Sequence, residues 1–143
     1  MTALDVQSQL IQTQGEARAG AAEGPVRIVL RLEGLAVLVC ATTAYAALHS
    51  NWGVFALLFL APDLSMGGYL ANRSIGAAAY NVGHSYISPA VLALLGFVVG
   101  MPALYGLALI WAAHIGFDRM LGYGLKYSSA FGDTHLSLKG QQS

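Results

Sequence analysis

Charged side chains are scarce in this sequence. Only 10% of the 143 residues are Asp, Glu, Lys or Arg, whereas 56% are hydrophobic. A soluble domain usually carries about 25% charged residues, and so apolar a chain of this size would lack the polar surface to cover itself. The formal net charge is zero, so there is no electrostatic basis for nucleic-acid binding. The composition therefore predicts a membrane protein.

Cysteine and the familiar catalytic motifs are also rare or missing. Cys40 is the only cysteine of the sequence, so no internal disulfide can form, and we interpret it as a small packing residue. The sequence has no nucleophile elbow and no phosphate-binding loop, which excludes most soluble enzyme classes. Residues 1–26 lack the apolar segment of a secretory signal peptide. We interpret them as a polar, poorly ordered cytoplasmic tail.

Four apolar runs follow this tail, at about 28–48, 52–70, 75–99 and 101–121. Each is close to the roughly 20 residues that a helix needs to span a bilayer. We therefore predict an all-α polytopic membrane protein with four transmembrane helices in an antiparallel bundle. The predicted transmembrane domain covers 27–123, and 124–143 form a cytoplasmic C-terminal tail.

The basic residues predict the orientation of these helices. Arg27 and Arg31 lie at the start of the first run, Arg73 follows the second, Arg119 lies at the end of the fourth, and Lys126 follows it. The segments after the first and third runs contain no Lys or Arg. By the positive-inside rule, all these basic residues face the cytoplasm. We expect a multi-pass protein of the inner (plasma) membrane with both termini in the cytoplasm.

Several polar residues interrupt the predicted spans: Glu33, Asp63, Asn81, His84, His114 and Asp118. An ionisable group costs roughly 2.5–3.5 kcal/mol or more at the bilayer centre, so such residues usually face the bundle interior. A rise of about 1.5 Å per residue places all of them in the cytoplasmic half of the predicted bundle. Each pair within one helix shares a face, because its members are three or four residues apart.

Carboxylates and imidazoles together suit Zn, Fe or Mn, and helical bundles hold metals with inward-facing side chains of this kind. We predict a divalent metal site with four ligands: Asp63, His84, His114 and Asp118. In this hypothesis Glu33 is a further ligand or the general base, and Asn81 orients water or substrate. The reaction would be metal-assisted hydrolysis or modification of a lipid-like or small-molecule substrate.

Two other functions fit the same residues. The acids and imidazoles can relay protons in an ion-coupled carrier, which would need to form an oligomer. Alternatively, the polar layer only holds the helices of a structural or interaction subunit together. Near the end of the fourth run, Arg119 and Lys126 suit an anionic head group or, with neighbouring tyrosines, anchor the chain at the interface. Asp133 and His135 are candidates to fold back over the cluster.

Four segments of the sequence resemble one protein family: LRLEGLAVL (30–38), APDLSMGGYL (61–70), AAAYNVGHSYISPA (77–90) and AHIGFDRMLGYGLKYSSAFGDTHL (113–136). They are similar to small bacterial membrane proteins of domain-of-unknown-function family 4260. The resemblance implies a four-helix integral membrane protein and no particular reaction. Its pattern falls on Glu33, Pro62–Asp63, Asn81 with His84, His114 with Asp118–Arg119, and Asp133–Thr134–His135.

Overall fold

A computed structural model describes residues 2–18, 22, 24–48, 51–127 and 134–136. Across these ranges the chain forms α1 (Ala3–Arg18), α2 (Gly24–Leu48), α3 (Trp52–Phe59), a 3₁₀ helix (Ala61–Leu70), α4 (Arg73–Gly83), α5 (Ile87–Val99) and α6 (Ala103–Leu121). Helix α1 lies within the segment interpreted as a polar tail. These ranges hold one isolated antiparallel bridge, between Lys126 and Thr134, and no strand. The predicted all-α class is confirmed.

The second apolar run is not one regular α-helix. Helix α3 ends at Phe59, and the chain continues as a 3₁₀ helix with Pro62 in its first turn. Proline has no backbone N–H to donate and so cannot continue the α-helical hydrogen bonds. Runs of 3₁₀ helix longer than three or four residues are uncommon, yet this one has ten. It carries Asp63.

The third apolar run is broken near its middle. Helix α4 ends at Gly83, α5 begins at Ile87, and the two axes differ by 48°. His84 caps α4 with φ −115° and ψ 16°, outside the helical range. The continuous helix predicted over this run is therefore replaced by two shorter helices, and one of the predicted site residues lies at the break.

Helix α6 lies at the centre of the fold and contacts α2, α3, α5 and the 3₁₀ helix, while α4 packs mainly on the 3₁₀ helix. The α2–α6 contact is a backbone contact. A Cβ atom on Gly116 would lie 2.7 Å from both the Gly34 carbonyl oxygen and the Leu38 nitrogen. Small residues at such crossings allow membrane helices to approach closely.

Several helices are suited to a bilayer. Gly24–Leu48 and Trp52–Leu70 are each long and apolar enough to cross a membrane, and α4 with α5 would make a third, bent span. In the described part of the chain, α6 is not among these candidates. Exposed apolar side chains such as Leu57, Phe97 and Val98 cover the outside, as expected of a surface that contacts lipid. The structure thus supports two or three spans directly, fewer than the four predicted.

Candidate metal centre

Four side chains from three elements meet inside the fold. They are Asp63 of the 3₁₀ helix, His84 at the end of α4, and His114 and Asp118 of α6. Each presents one ligand atom, and these four atoms lie within 4.8 Å of one another. The imidazoles are 1% and 2% exposed, whereas the Asp118 side chain is 15% and the Asp63 side chain 37% exposed. We call this group the Asp/His cluster.

Five of the six distances between the ligand atoms of the Asp/His cluster are close to the edges of a tetrahedron, and the sixth, between Asp63 and Asp118, lies within 4.8 Å. His84 Nε2 lies 3.2 Å from His114 Nε2 and 3.4 Å from both Asp63 Oδ1 and Asp118 Oδ2. His114 Nε2 lies 3.6 Å and 3.8 Å from the same two oxygens. Four ligands around zinc at 2.0–2.1 Å would be roughly 3.3–3.4 Å apart. One small cation at the centre would therefore reach all four atoms with little movement of the side chains.

His84 is held by its own helix. Its Nδ1 lies 3.0 Å from the Tyr80 carbonyl oxygen, and the Tyr80 ring stacks on the imidazole with centroids 3.8 Å apart. Because a carbonyl only accepts hydrogen bonds, Nδ1 carries the hydrogen, and Nε2 of the neutral ring presents a lone pair to the cluster. Ligating histidines are commonly oriented by such a hydrogen bond from the other nitrogen.

His114 and Asp118 share a face of α6, as their spacing predicts. Phe59 packs edge-to-face against His114 with centroids 5.3 Å apart, and the Tyr80 hydroxyl donates to Asp118 Oδ2 at 3.4 Å. His114 Nδ1 is buried and has no hydrogen-bond partner among the described residues. On its Nδ1 side this ring is thus held by packing, whereas its Nε2 has the polar neighbours of the cluster.

Glycines bring Asp63 close to His84. A Cβ on Gly83 would lie 2.8 Å from Ser65 Oγ and 3.3 Å from the Pro62 carbonyl oxygen. One on Gly76, two turns earlier on the same face of α4, would collide with the Tyr69 ring. Because α4 lacks side chains at these positions, the 3₁₀ helix can lie directly against it.

Two side chains of α6 satisfy the carbonyls that the break after α4 frees. Trp111 Nε1 donates to the Gly83 carbonyl at 2.6 Å, and Arg119 Nη2 donates to the His84 carbonyl at 2.9 Å. Arg119 is only 8% exposed, and its Nη1 also donates to the Tyr123 carbonyl. We predicted that this guanidinium binds an anionic head group or anchors the chain at the interface, whereas these contacts direct it to the backbone beside the Asp/His cluster.

Asn81 and Lys126 join the C-terminal segment to α4. The Asn81 amide donates to the Lys126 carbonyl at 2.9 Å and accepts from the Lys126 N–H at 2.7 Å. Both hydrogen bonds occupy the Asn81 side chain, which we predicted to orient water or substrate. Lys126 Nζ lies 4.5 Å from the Tyr80 ring centroid. Burial lowers the pKa of Lys126, while the carboxylates of Asp118 and Asp63 raise it by less.

Two other predicted residues lie outside the Asp/His cluster. Glu33 is exposed on α2 and does not belong to the group. His135, which we expected to fold back over the cluster, accepts a hydrogen bond at Nδ1 from the Leu125 N–H and is not a member of the group either. Asp133 lies outside the described residues.

Sequence reasoning missed Trp111 and Tyr80. A signal for Trp111 was present, because Trp111, His114 and Asp118 are spaced i, i+3 and i+7 on one helical face. Tyr80 and His84 are likewise spaced i, i+4, but the stacking of their rings depends on the end of α4, which the spacing does not predict. Both residues act by holding His84 and the backbone next to it.

The chain has no match among curated proteins or solved structures. A family model described as a domain of unknown function, DUF4260, matches residues 27–138. This range includes the whole Asp/His cluster and all the helices from the second turn of α2 onward. Because the match covers most of the 143 residues, the chain belongs to the DUF4260 family.

Proposed function

We propose that this chain is an integral membrane protein that binds one divalent metal ion through Asp63, His84, His114 and Asp118. The observation that carries the proposal is the set of five distances of 3.2–3.8 Å between their ligand atoms. Nitrogen and oxygen donors of this kind suit Zn, Fe and Mn. The tetrahedral spacing favours Zn²⁺, which is almost always four-coordinate in closed protein sites.

A metal-free polar layer is the competing explanation. His114 Nε2 could donate to His84 Nε2, and the charges of Arg119 and Lys126 would partly balance the two carboxylates. Charge alone therefore does not require a metal. The convergence of all four ligand atoms on one point does favour it, because hydrogen-bonded pairs need not share a common centre.

Metal analysis of the detergent-purified full chain separates these explanations. We expect about one Zn²⁺ per chain after loading and dialysis, and loss of stoichiometric Zn²⁺ in His84→Ala and Asp118→Ala. His135→Gln and Glu33→Gln are matched controls outside the cluster and should bind Zn²⁺ as the natural chain does. Folded protein that binds no stoichiometric metal would leave the polar layer as the explanation.

Asp63 gives the site its access. It is the most exposed of the four ligands and lies on the irregular 3₁₀ helix. A catalytic zinc site keeps one position for water or substrate, and Asp63 is the ligand best placed to yield it. A bound ion would activate water for hydrolysis or polarise an ester. We therefore assign the protein to metal-assisted hydrolysis or modification of a lipid-like substrate.

An ion carrier is the second function to be tested. Zn²⁺ transport into proteoliposomes that is abolished by Asp63→Ala would favour it over hydrolysis. Release of a water-soluble head group from lipid vesicles, with no Zn²⁺ flux, would favour the enzyme.

The four-span topology is part of this proposal. With α6 as the fourth span, both termini face the cytoplasm and the Asp/His cluster lies toward the inner leaflet. Reporter fusions that are active only outside the cytoplasm should be active after residue 51 or 100 and inactive after 72 or 127. Activity after residue 127 would contradict a cytoplasmic C-terminus.

A further inference from the structure

An apolar cleft of about 280 Å³ begins beside the Asp/His cluster. It lies between the second apolar run, α5 and α6, and seven side chains line it: Leu58, Ala61, Pro62, Leu92, Leu107, Ile110 and Trp111. Pro62 directly precedes the ligand Asp63, and Ile110 lies one turn before the ligand His114. Neighbours of two ligands therefore line the cleft, although no member of the Asp/His cluster lines it itself.

The cleft extends away from the cluster along the bundle axis. Leu107 lies seven residues before His114 on α6, which corresponds to about 10 Å along the helix. In the proposed topology this direction leads from the inner leaflet toward the bilayer midplane. A lipid chain in the inner leaflet has the same direction, with its polar group at the end where the cluster lies.

We propose that this cleft holds the hydrocarbon chain of an anionic amphiphile whose polar group reaches the metal at the exposed Asp63 corner. This inference rests on the proposed metal site and adds the class of molecule that the site takes. The lining side chains are apolar apart from the Trp111 Nε1–H, which already donates to the Gly83 carbonyl. A hydrocarbon chain in the cleft would therefore leave no polar group unpaired, whereas a polar molecule would find no hydrogen-bond partner there.

A second cavity serves as the control. It has about 440 Å³ and lies beside α5 and α6 on the side of α2, where Ala44, Ala93 and Tyr105 contribute to its lining. No member of the Asp/His cluster lines either cavity, but Ala112 in this second lining lies two residues from His114 and therefore on a different face of α6. Lipid that merely surrounds the protein would enter both cavities equally, whereas the proposed ligand should prefer the one beside the cluster.

The two tryptophans of the sequence allow a direct test. Trp111 lines the cleft, and Trp52 lies elsewhere, near Tyr45 and Phe55. The probe is a brominated fatty acid added to Zn²⁺-loaded protein in detergent. In Trp52→Phe, which keeps only Trp111, we expect quenching that saturates and that excess palmitate reverses. In Trp111→Phe, quenching of Trp52 should not saturate.

Two variants locate the probe. Ala61→Phe fills the cleft and should abolish saturable quenching, whereas Ala93→Phe fills the second cavity and should leave it unchanged. Both carry Trp52→Phe, and stoichiometric Zn²⁺ binding verifies that each has folded. If Ala61→Phe fails that check, displacement by palmitate in the parent protein remains as the test of saturable binding.

Zinc dependence tests the link to the metal. Removal of Zn²⁺ should weaken binding of the brominated acid severalfold and leave its methyl ester unaffected, because only the carboxylate ligates strongly. Non-saturating quenching of Trp111, or saturable quenching that does not depend on Zn²⁺, would overturn this inference. Either result can occur with stoichiometric Zn²⁺ bound, so it is distinguishable from failure of the metal proposal.

Discussion

The two sides of α6 contact their neighbours by different physical means. Toward α2, Gly116 meets the backbone at Gly34 and Leu38, and the contact depends on the absence of side chains. Toward α4 and the 3₁₀ helix, α6 presents His114, Asp118 and Arg119, and the contact is made of polar atoms. The first contact is determined mainly by shape, with one hydrogen bond from Arg31 Nε to the Met120 carbonyl at 2.7 Å, and the second mainly by polar chemistry.

The difference between these two contacts bears on the proposed metal site. Dispersion and close packing are sufficient to associate helices in a membrane, as the α2–α6 crossing illustrates. A polar face is not needed for that purpose and costs free energy unless every group is satisfied. The proposed metal site would account for such a face beside the break between α4 and α5.

The largest expected effect is the response of stability to Zn²⁺. At free Zn²⁺ a thousandfold above Kd, binding to the folded state should add about 4 kcal/mol to the free energy of unfolding. A chelator should reverse the gain, as measured by denaturation in mixed micelles. His84→Ala should show no gain, whereas Glu33→Gln on the α2 side should respond as the natural chain does. Equal stabilisation of His84→Ala would remove the distinction between the two sides.

The next effect concerns Arg119, which supports the polar side without belonging to the cluster. Arg119→Met removes donors from the His84 and Tyr123 carbonyls and should lower the free energy of unfolding by about 3 kcal/mol, because a buried carbonyl loses a charged partner. Zn²⁺ affinity should also fall, since the backbone of His84 is released. Arg73→Met, at the exposed start of α4, is the control and should change stability by no more than about 0.5 kcal/mol.

The side of α6 that packs on α2 should tolerate a change of polarity better than the polar side does, and an increase in side-chain volume less well. Gly116→Ala places a methyl group against backbone atoms of α2 that cannot rotate away, and overpacking of this kind costs roughly 1–3 kcal/mol. Gly67→Ala is the matched control, because no atom lies within 4 Å of its new methyl group. Similar unfolding midpoints for the two variants would show that the α2–α6 crossing is not tightly packed.

The sequence allowed much of the polar side to be predicted, for a physical reason. Ionisable residues inside apolar runs usually turn inward, so Asp63, His84, His114 and Asp118 could be grouped before their contacts were known. The break at His84 and the 3₁₀ helix that carries Asp63 could not be predicted from the sequence, because both depend on tertiary contacts. Trp111 and Arg119 supply donors to the carbonyls at the break, and Gly76 and Gly83 admit the 3₁₀ helix. Glu33 is ionisable like the members of the group, but it lies on α2. Helix α2 packs on the other side of α6, where glycines allow the two backbones to come close.

The smallest expected effect concerns the C-terminal turn, in which His135 contacts Leu125. Asn81 joins this turn to the polar side of α6 through its two hydrogen bonds with Lys126. His135 Nδ1 accepts from the Leu125 N–H, so the folded turn requires the neutral ring. Burial, and next the positive charge of Arg119, lower the pKa of His135 below its ordinary value. The contribution to stability is therefore present above pH about 6.5 and is lost as the pH falls through the lowered pKa. The loss should be about 1 kcal/mol.

Limited proteolysis near residue 127 should accelerate on acidification in the natural chain and be less dependent on pH in His135→Gln. If both chains respond alike, the turn does not depend on this histidine, and its attachment to the polar side rests on the contacts of Asn81, Arg119 and Lys126.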